Sequence, residues 1–122
     1  MSNIIINRSF KVKQSINQAN YYALISISGK KTEKRKLEVV FEDVPPEWCS
    51  SVETGIKYFY HYFNLQEQMG LQLTINKLHT MEGDATPMTV FYVTVKCLSE
   101  MFQFSNNLIS LDEIDGKYNV LR

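Results

Sequence analysis

Residues 44–56 read Val44-Pro45-Pro46-Glu47-Trp48-Cys49-Ser50-Ser51-Val52-Glu53-Thr54-Gly55-Ile56, and the fold turns on them. Proline is tolerated in the first turn of a helix, where its missing N–H has no intrahelical partner to lose. From there Trp48, Val52, Ile56, Phe59 and Phe63 recur at helical spacing, one apolar stripe of an amphipathic helix over about 45–63. Gly55 stands beside that stripe. A glycine inside a helix costs about 1 kcal/mol against alanine, so close approach by another backbone is the physical reason to place one there.

Outward from this helix, the chain alternates with a period of two. Leu37, Val39 and Phe41 form one strand, with Lys36, Glu38 and Val40 on its other face. Tyr21, Ala23, Ile25 and Ile27 alternate with Tyr22, Leu24, Ser26 and Ser28 in a strand that ends at Gly29. The charged turn between them, residues 30–36, is short enough to predict an antiparallel hairpin. Ile4, Ile5, Ile6, Phe10 and Val12 give a first strand, followed by a polar connection over residues 14–20. Beyond the helix, Leu71, Leu73 and Ile75 alternate with Gln72, Thr74 and Asn76 in a fourth strand, and residues 78–86 read as a loop. Thr86-Pro87 is an N-cap and first-turn pair, and Met88, Phe91, Val95, Leu98 and Phe102 step by three and four. A second helix over 86–104 is therefore expected, although the β-branched run from 89 to 95 favours a strand by propensity. Asp115-Gly116 between apolar segments predicts a hairpin over about 108–121.

A chain of 122 residues is one domain's worth, 1–122, with its core over about 20–104. Thirteen basic and thirteen acidic residues cancel, so any nucleic-acid contact must come from a local patch rather than from net charge. Cys49 and Cys97 have no second Cys or His at metal spacing and read as reduced, packed thiols. There is no signal peptide and no apolar run near the roughly 18 residues of a membrane span, so the cytoplasm is the expected compartment.

Candidate chemistry is sparse. His61 has no carboxylate or Cys three or four residues away and reads as a helix-surface histidine. His79 lies close to Glu82 and Asp84, and a loop histidine with two acids is the start of an acid–base or metal site. The same acids would repel a phosphate at the following helix N-terminus. No Gly-rich phosphate loop or nucleophile elbow is present. Lys30, Lys31, Lys34, Arg35 and Lys36 form a basic patch that could hold phosphates or simply keep a turn solvated. Tyr58, Tyr60 and Tyr62 read as pointing to different helix faces.

The pattern Val44-Pro45-x-Glu47-Trp48-x-x-x-Val52-x-x-Gly55-Ile56 resembles the helix that begins the core of domain IV in bacterial elongation factor G and the ribosomal protection proteins. Ser51 stands where alanine is usual. The similarity continues through residues 71–75 and reaches 79–88, where the family has a His-bearing tip loop. Aligning Asp84 and Met88 puts Met81 at the usual His position and leaves His79 two residues away. The resemblance implies an α+β two-layer sandwich, a four-stranded sheet packed by two helices with a left-handed βαβ crossover, to which the C-terminal hairpin is added. It also implies binding through tips at 14–20 and 78–86, which assigns Asn17, Gln18, Asn20, His79, Thr80, Glu82 and Asp84 as contacts and puts the basic turn at the opposite end.

The expectation is a non-catalytic binding module contacting the ribosome, RNA or another part of the translation apparatus, with no cofactor, metal or membrane. A protein-interaction or homo-oligomeric scaffold using a strand edge or the aromatic helix is the alternative. A small-molecule enzyme centred on His79, Glu82 and Asp84 is a third possibility.

Overall fold

In the computed structural model, which describes residues 4–16, 19–81 and 83–104, the alternating segments are strands and both proline-started segments are helices. The order is β1 (Ile6–Ile16), β2 (Ala19–Thr32), β3 (Leu37–Asp43), α1 (Pro46–Glu67), β4 (Gly70–Thr80) and α2 (Pro87–Met101). The strands form one mixed sheet in the order β1-β2-β4-β3. β2 pairs antiparallel with both β1 and β4, and β3 pairs parallel with β4 across the α1 crossover. The helices cover one face, so the molecule is the α+β two-layer sandwich expected from the pattern. The hairpin expected over 108–121 lies outside the described residues.

Three expectations about the strands are corrected. β2 and β3 do not form a hairpin, because β4 lies between them. The turn after Thr32 spans this gap, and Leu71 N donates to Lys36 O at 3.0 Å as β4 enters beneath it. β4 takes the inner position because Leu71, Leu73 and Ile75 are almost fully buried and need strands on both sides, whereas β3 keeps Val40 57% exposed at the sheet margin. Of the segment 14–20, the described residues 14–16 and 19–20 are strand rather than loop. Gln14, Ser15 and Ile16 pair with Tyr21, Asn20 and Ala19, since a ladder satisfies backbone groups whatever the side chains' polarity. Finally, β4 runs on through His79 and Thr80, into the segment 78–86 that reads as a loop.

The core is built where the helices meet the sheet. Val52, Ile56, Phe59 and Phe63 of α1 are buried, with Trp48 half-buried at the start of the stripe. A Cβ on Gly55 would lie 3.0 Å from Thr94 Cβ and 3.3 Å from Phe91 O, so this glycine lets α1 approach α2. Helix α2 opens on a reciprocal cap: Thr89 N donates to Thr86 Oγ1 at 3.2 Å, and Thr86 N donates to Thr89 Oγ1 at 3.1 Å. It packs on β1, β2 and α1, which explains a helix that is apolar on nearly every side and reads by propensity as a strand. Tyr58 and Tyr62 do share a face, one turn apart, with ring centroids at 5.3 Å. Among the described residues no helix is long and apolar enough to cross a membrane.

Both cysteines are free, but they differ. Cys97 is buried, with its Sγ 3.5 Å from Arg8 O. Burial first, and then the Glu100 carboxylate, push its thiol up to about 12. Cys49 is only half-buried. Iodoacetamide is therefore expected to label Cys49 alone in the folded protein and both cysteines in denaturant, as counted by intact mass. The raised value also fixes a sign. Cys97 stabilises the fold fully below its ordinary value of 9.0 and progressively less as pH rises toward 12.

Candidate functional site

The sheet face away from the helices carries the chemistry. On β4, Leu71, Leu73 and Ile75 point to the core, and simple alternation would send Lys77 and His79 after them. A bulge prevents this. The register shifts between Ser26 and Ile27 of β2, which pair with Lys77 and Ile75, so Asn76 is the extra residue. Leu78 is then buried, while Lys77 and His79 emerge on the open face. Asn76 is held there by Ser28, whose Oγ donates to its Oδ1 at 2.6 Å, and its own Nδ2 donates to Glu42 Oε1 at 3.1 Å.

The neighbours of His79 come from strands far away in sequence. Leu24 pairs with His79 on one side and with Lys11 on the other, and Tyr22 pairs with Lys13. Val12 between them is buried, which places Lys11 and Lys13 on the open face. The Tyr22 and His79 rings meet edge-on, with centroids 5.8 Å apart and planes at 83°. Lys11, Lys13 and Lys77 thus surround an aromatic pair, and none of them has an acid at ion-pair distance among the described residues. Lys11 and Lys13 draw no notice in the sequence, where the apolar Phe10 and Val12 carry the first strand. The alternation Ser9-Phe10-Lys11-Val12-Lys13 is the signal that could have found them.

The expected tip residues separate. Asn17, Gln18 and Glu82 lie outside the described residues. Asn20 is exposed on β2 and accepts from Ser15 Oγ at 2.5 Å. Thr80 pairs with Ala23 at the end of β4. Asp84 is tied by its backbone, accepting from Tyr22 N at 2.7 Å and donating to Met81 O at 2.9 Å. No hydrogen bond or ion pair joins His79 to Asp84 among the described residues, and no metal-holding cluster occurs among them.

The basic patch lies at the far end of the sheet, where β2 meets the start of β4. Lys30 and Lys31 are in β2 rather than in the turn, and successive strand residues point to opposite faces. Lys31 pairs with Glu67 at 3.5 Å and Lys36 with Glu38 at 3.7 Å. Arg35 Nε donates to Asn64 Oδ1 at 3.4 Å. Only Lys30 and Lys34 of the five have no acid or amide partner among the described side chains. Between the two ends the open face is a polar ladder in which Ser9 and Ser26 bond at 2.7 Å and the Ser28 hydroxyl also meets the Asn7 side chain.

These features define an α+β sandwich module with an open sheet face, cationic at the end where Tyr22 and His79 meet. No family model and no curated protein matches the chain. Among solved structures, a protein of Thermus thermophilus is similar over 81% of this chain, with a TM-score of 0.65 and 13% sequence identity. The match spans only 16% of that longer chain. At this identity the likeness shows a shared fold and nothing further.

Proposed function

We propose that this chain is a non-catalytic binding module that contacts RNA of the translation apparatus through the open face of its sheet. The observation that carries this reading is the convergence of Lys11, Lys13 and Lys77 around Tyr22 and His79; Asp43 stands opposite Lys77 in the ladder, yet none of the three lysines forms an ion pair among the described residues. Unpaired lysines on a neutral protein are a local attraction for a polyanion, and such contacts weaken steeply as salt rises. The link to translation rests on the resemblance of residues 44–56 to an elongation-factor helix. Purified ribosomes pelleted with the protein should carry it down at low salt and release it at high salt. A pellet without the protein at low salt would sink the proposal.

A second reading has its own support. The β1 edge is basic on its open face through Lys11 and Lys13, and the β3 edge is acidic through Glu38 and Glu42. Opposite edges of two copies could pair head to tail, an open-ended assembly. Protein that pellets without ribosomes, in amounts rising with its own concentration, would speak for that scaffold.

A further inference from the structure

We infer that the occupant of the open face is single-stranded RNA, with bases stacking on the Tyr22 and His79 rings and phosphates held by Lys11, Lys13 and Lys77. This rests on the reading of an RNA partner above and goes further, to the strand form and the contacts.

Three features select that ligand. The first is charge: three lysines from β1 and β4 crowd one end of the face, with Asp43 opposite Lys77 in the ladder but no ion pair to any of the three among the described residues. The second is the ring pair lying among them. An edge-on contact occupies the edge of one ring and one face of the other, leaving further faces for bases. The third is a track. Tyr22, Leu24, Ser26, Ser28 and Lys30 line the open face along β2, so a backbone laid along that strand passes hydroxyls and ends on another lysine. The Ser and Asn side chains of the ladder supply donors and acceptors for 2′-hydroxyls.

Other anions fit less well. A duplex buries its base faces, so the rings would have nothing to stack on. An anionic membrane would call for an apolar cluster beside Lys11, Lys13 and Lys77, whereas the exposed Ile5 and Val40 meet near Lys30, toward the other end of the open face.

Fluorescence anisotropy with a labelled RNA of about ten nucleotides, within the usual range of single-strand sites, tests this on the full chain. The same sequence as RNA duplex and as single-stranded DNA, and phosphatidylserine vesicles, complete the set. Single-stranded RNA should bind most tightly. Joint Tyr22→Leu and His79→Gln substitution, which keeps bulk but removes both rings, should weaken binding about 10- to 100-fold and leave the salt slope unchanged. Joint Lys11→Gln, Lys13→Gln and Lys77→Gln substitution should flatten the slope of log K against log salt by about 2. These lysines are exposed, so the triple variant should melt like the parent. Equal or tighter binding of duplex, DNA or vesicles would overturn the assignment, as would ring variants that bind like the parent. Ribosome pelleting that persists while free single-stranded RNA fails to bind would defeat this inference alone. Loss of both would defeat the functional proposal as well.

Discussion

Phe59→Ala is expected to lower the free energy of unfolding by about 3–5 kcal/mol, the usual cost of removing a fully buried aromatic ring. Phe59 is 0% exposed at the middle of the α1 stripe. Its ring centroid lies 5.7 Å from that of Phe63, 6.3 Å from Phe102 and 5.4 Å from Phe104. Four rings from two separate parts of the chain thus share one cavity wall, and three of them would line the void left by truncation. Close-packed interiors relax only partly around such a void. For a domain whose total stability is of order 5–15 kcal/mol, a loss of this size moves a urea midpoint down by about 2 M at a slope near 2 kcal/mol/M. Circular dichroism against urea reads it directly. A loss below about 1 kcal/mol would show that the neighbouring rings close the gap, and would refute the rigid cluster.

How much of this was legible in the sequence divides along the range of the interactions. Both helices announce themselves locally. Pro45-Pro46 and Thr86-Pro87 mark starts, and the stripes that follow need only the geometry of one turn. Gly55 is legible as a close approach, although not that Thr94 and Phe91 of α2 make it. Strand order is not legible, because a short turn predicts a hairpin and nothing within residues 30–36 says that a strand arriving thirty-odd residues later will enter the gap. Such pairing is decided by which strand buries most, a property of the whole sheet.

The candidate site shows the same division. His79 stands out in the sequence, but as a loop residue, because the apolar alternation of β4 stops at Ile75. In fact Asn76-Lys77 puts two polar residues together between Ile75 and Leu78, and that break in phase is the sequence trace of the bulge. Lys11 and Lys13 alternate with Phe10 and Val12 and are readable as one wet strand face. Their meeting with Tyr22 and His79 is not readable, because it depends on β1 and β4 flanking β2. The basic turn, the loudest charge signal in the chain, has Lys31 and Lys36 paired with acids. The quieter Lys11 and Lys13 form no ion pair among the described residues.

Gly70→Ala is the second large effect, expected to cost about 3 kcal/mol, at the upper end for an inserted methyl. A Cβ built on Gly70 would sit 1.9 Å from Lys34 O, 2.5 Å from Lys36 O and 2.5 Å from Thr32 Oγ1. The first two are backbone atoms and cannot swing aside as a flexible side-chain end would. To admit the methyl, the turn after β2 must lift away from the start of β4. That movement strains the Leu71 N to Lys36 O bond and the adjacent β3–β4 pair of Leu37 with Leu71. The damage should therefore be local in origin and global in effect, because this turn is what opens a strand-wide gap between β2 and β3. Amide exchange distinguishes the two levels. Leu71 N–H should lose protection in Gly70→Ala by more than the fall in overall stability explains, while amides in the middle of α2 should follow the global value. The Tyr22–His79 end of the sheet lies at the other end of β4. The RNA binding proposed for that end should therefore remain near parental in the folded fraction. A variant as stable as the parent would mean that the turn can shift freely, and that the gap receiving β4 is not set by the backbone crowding at Gly70.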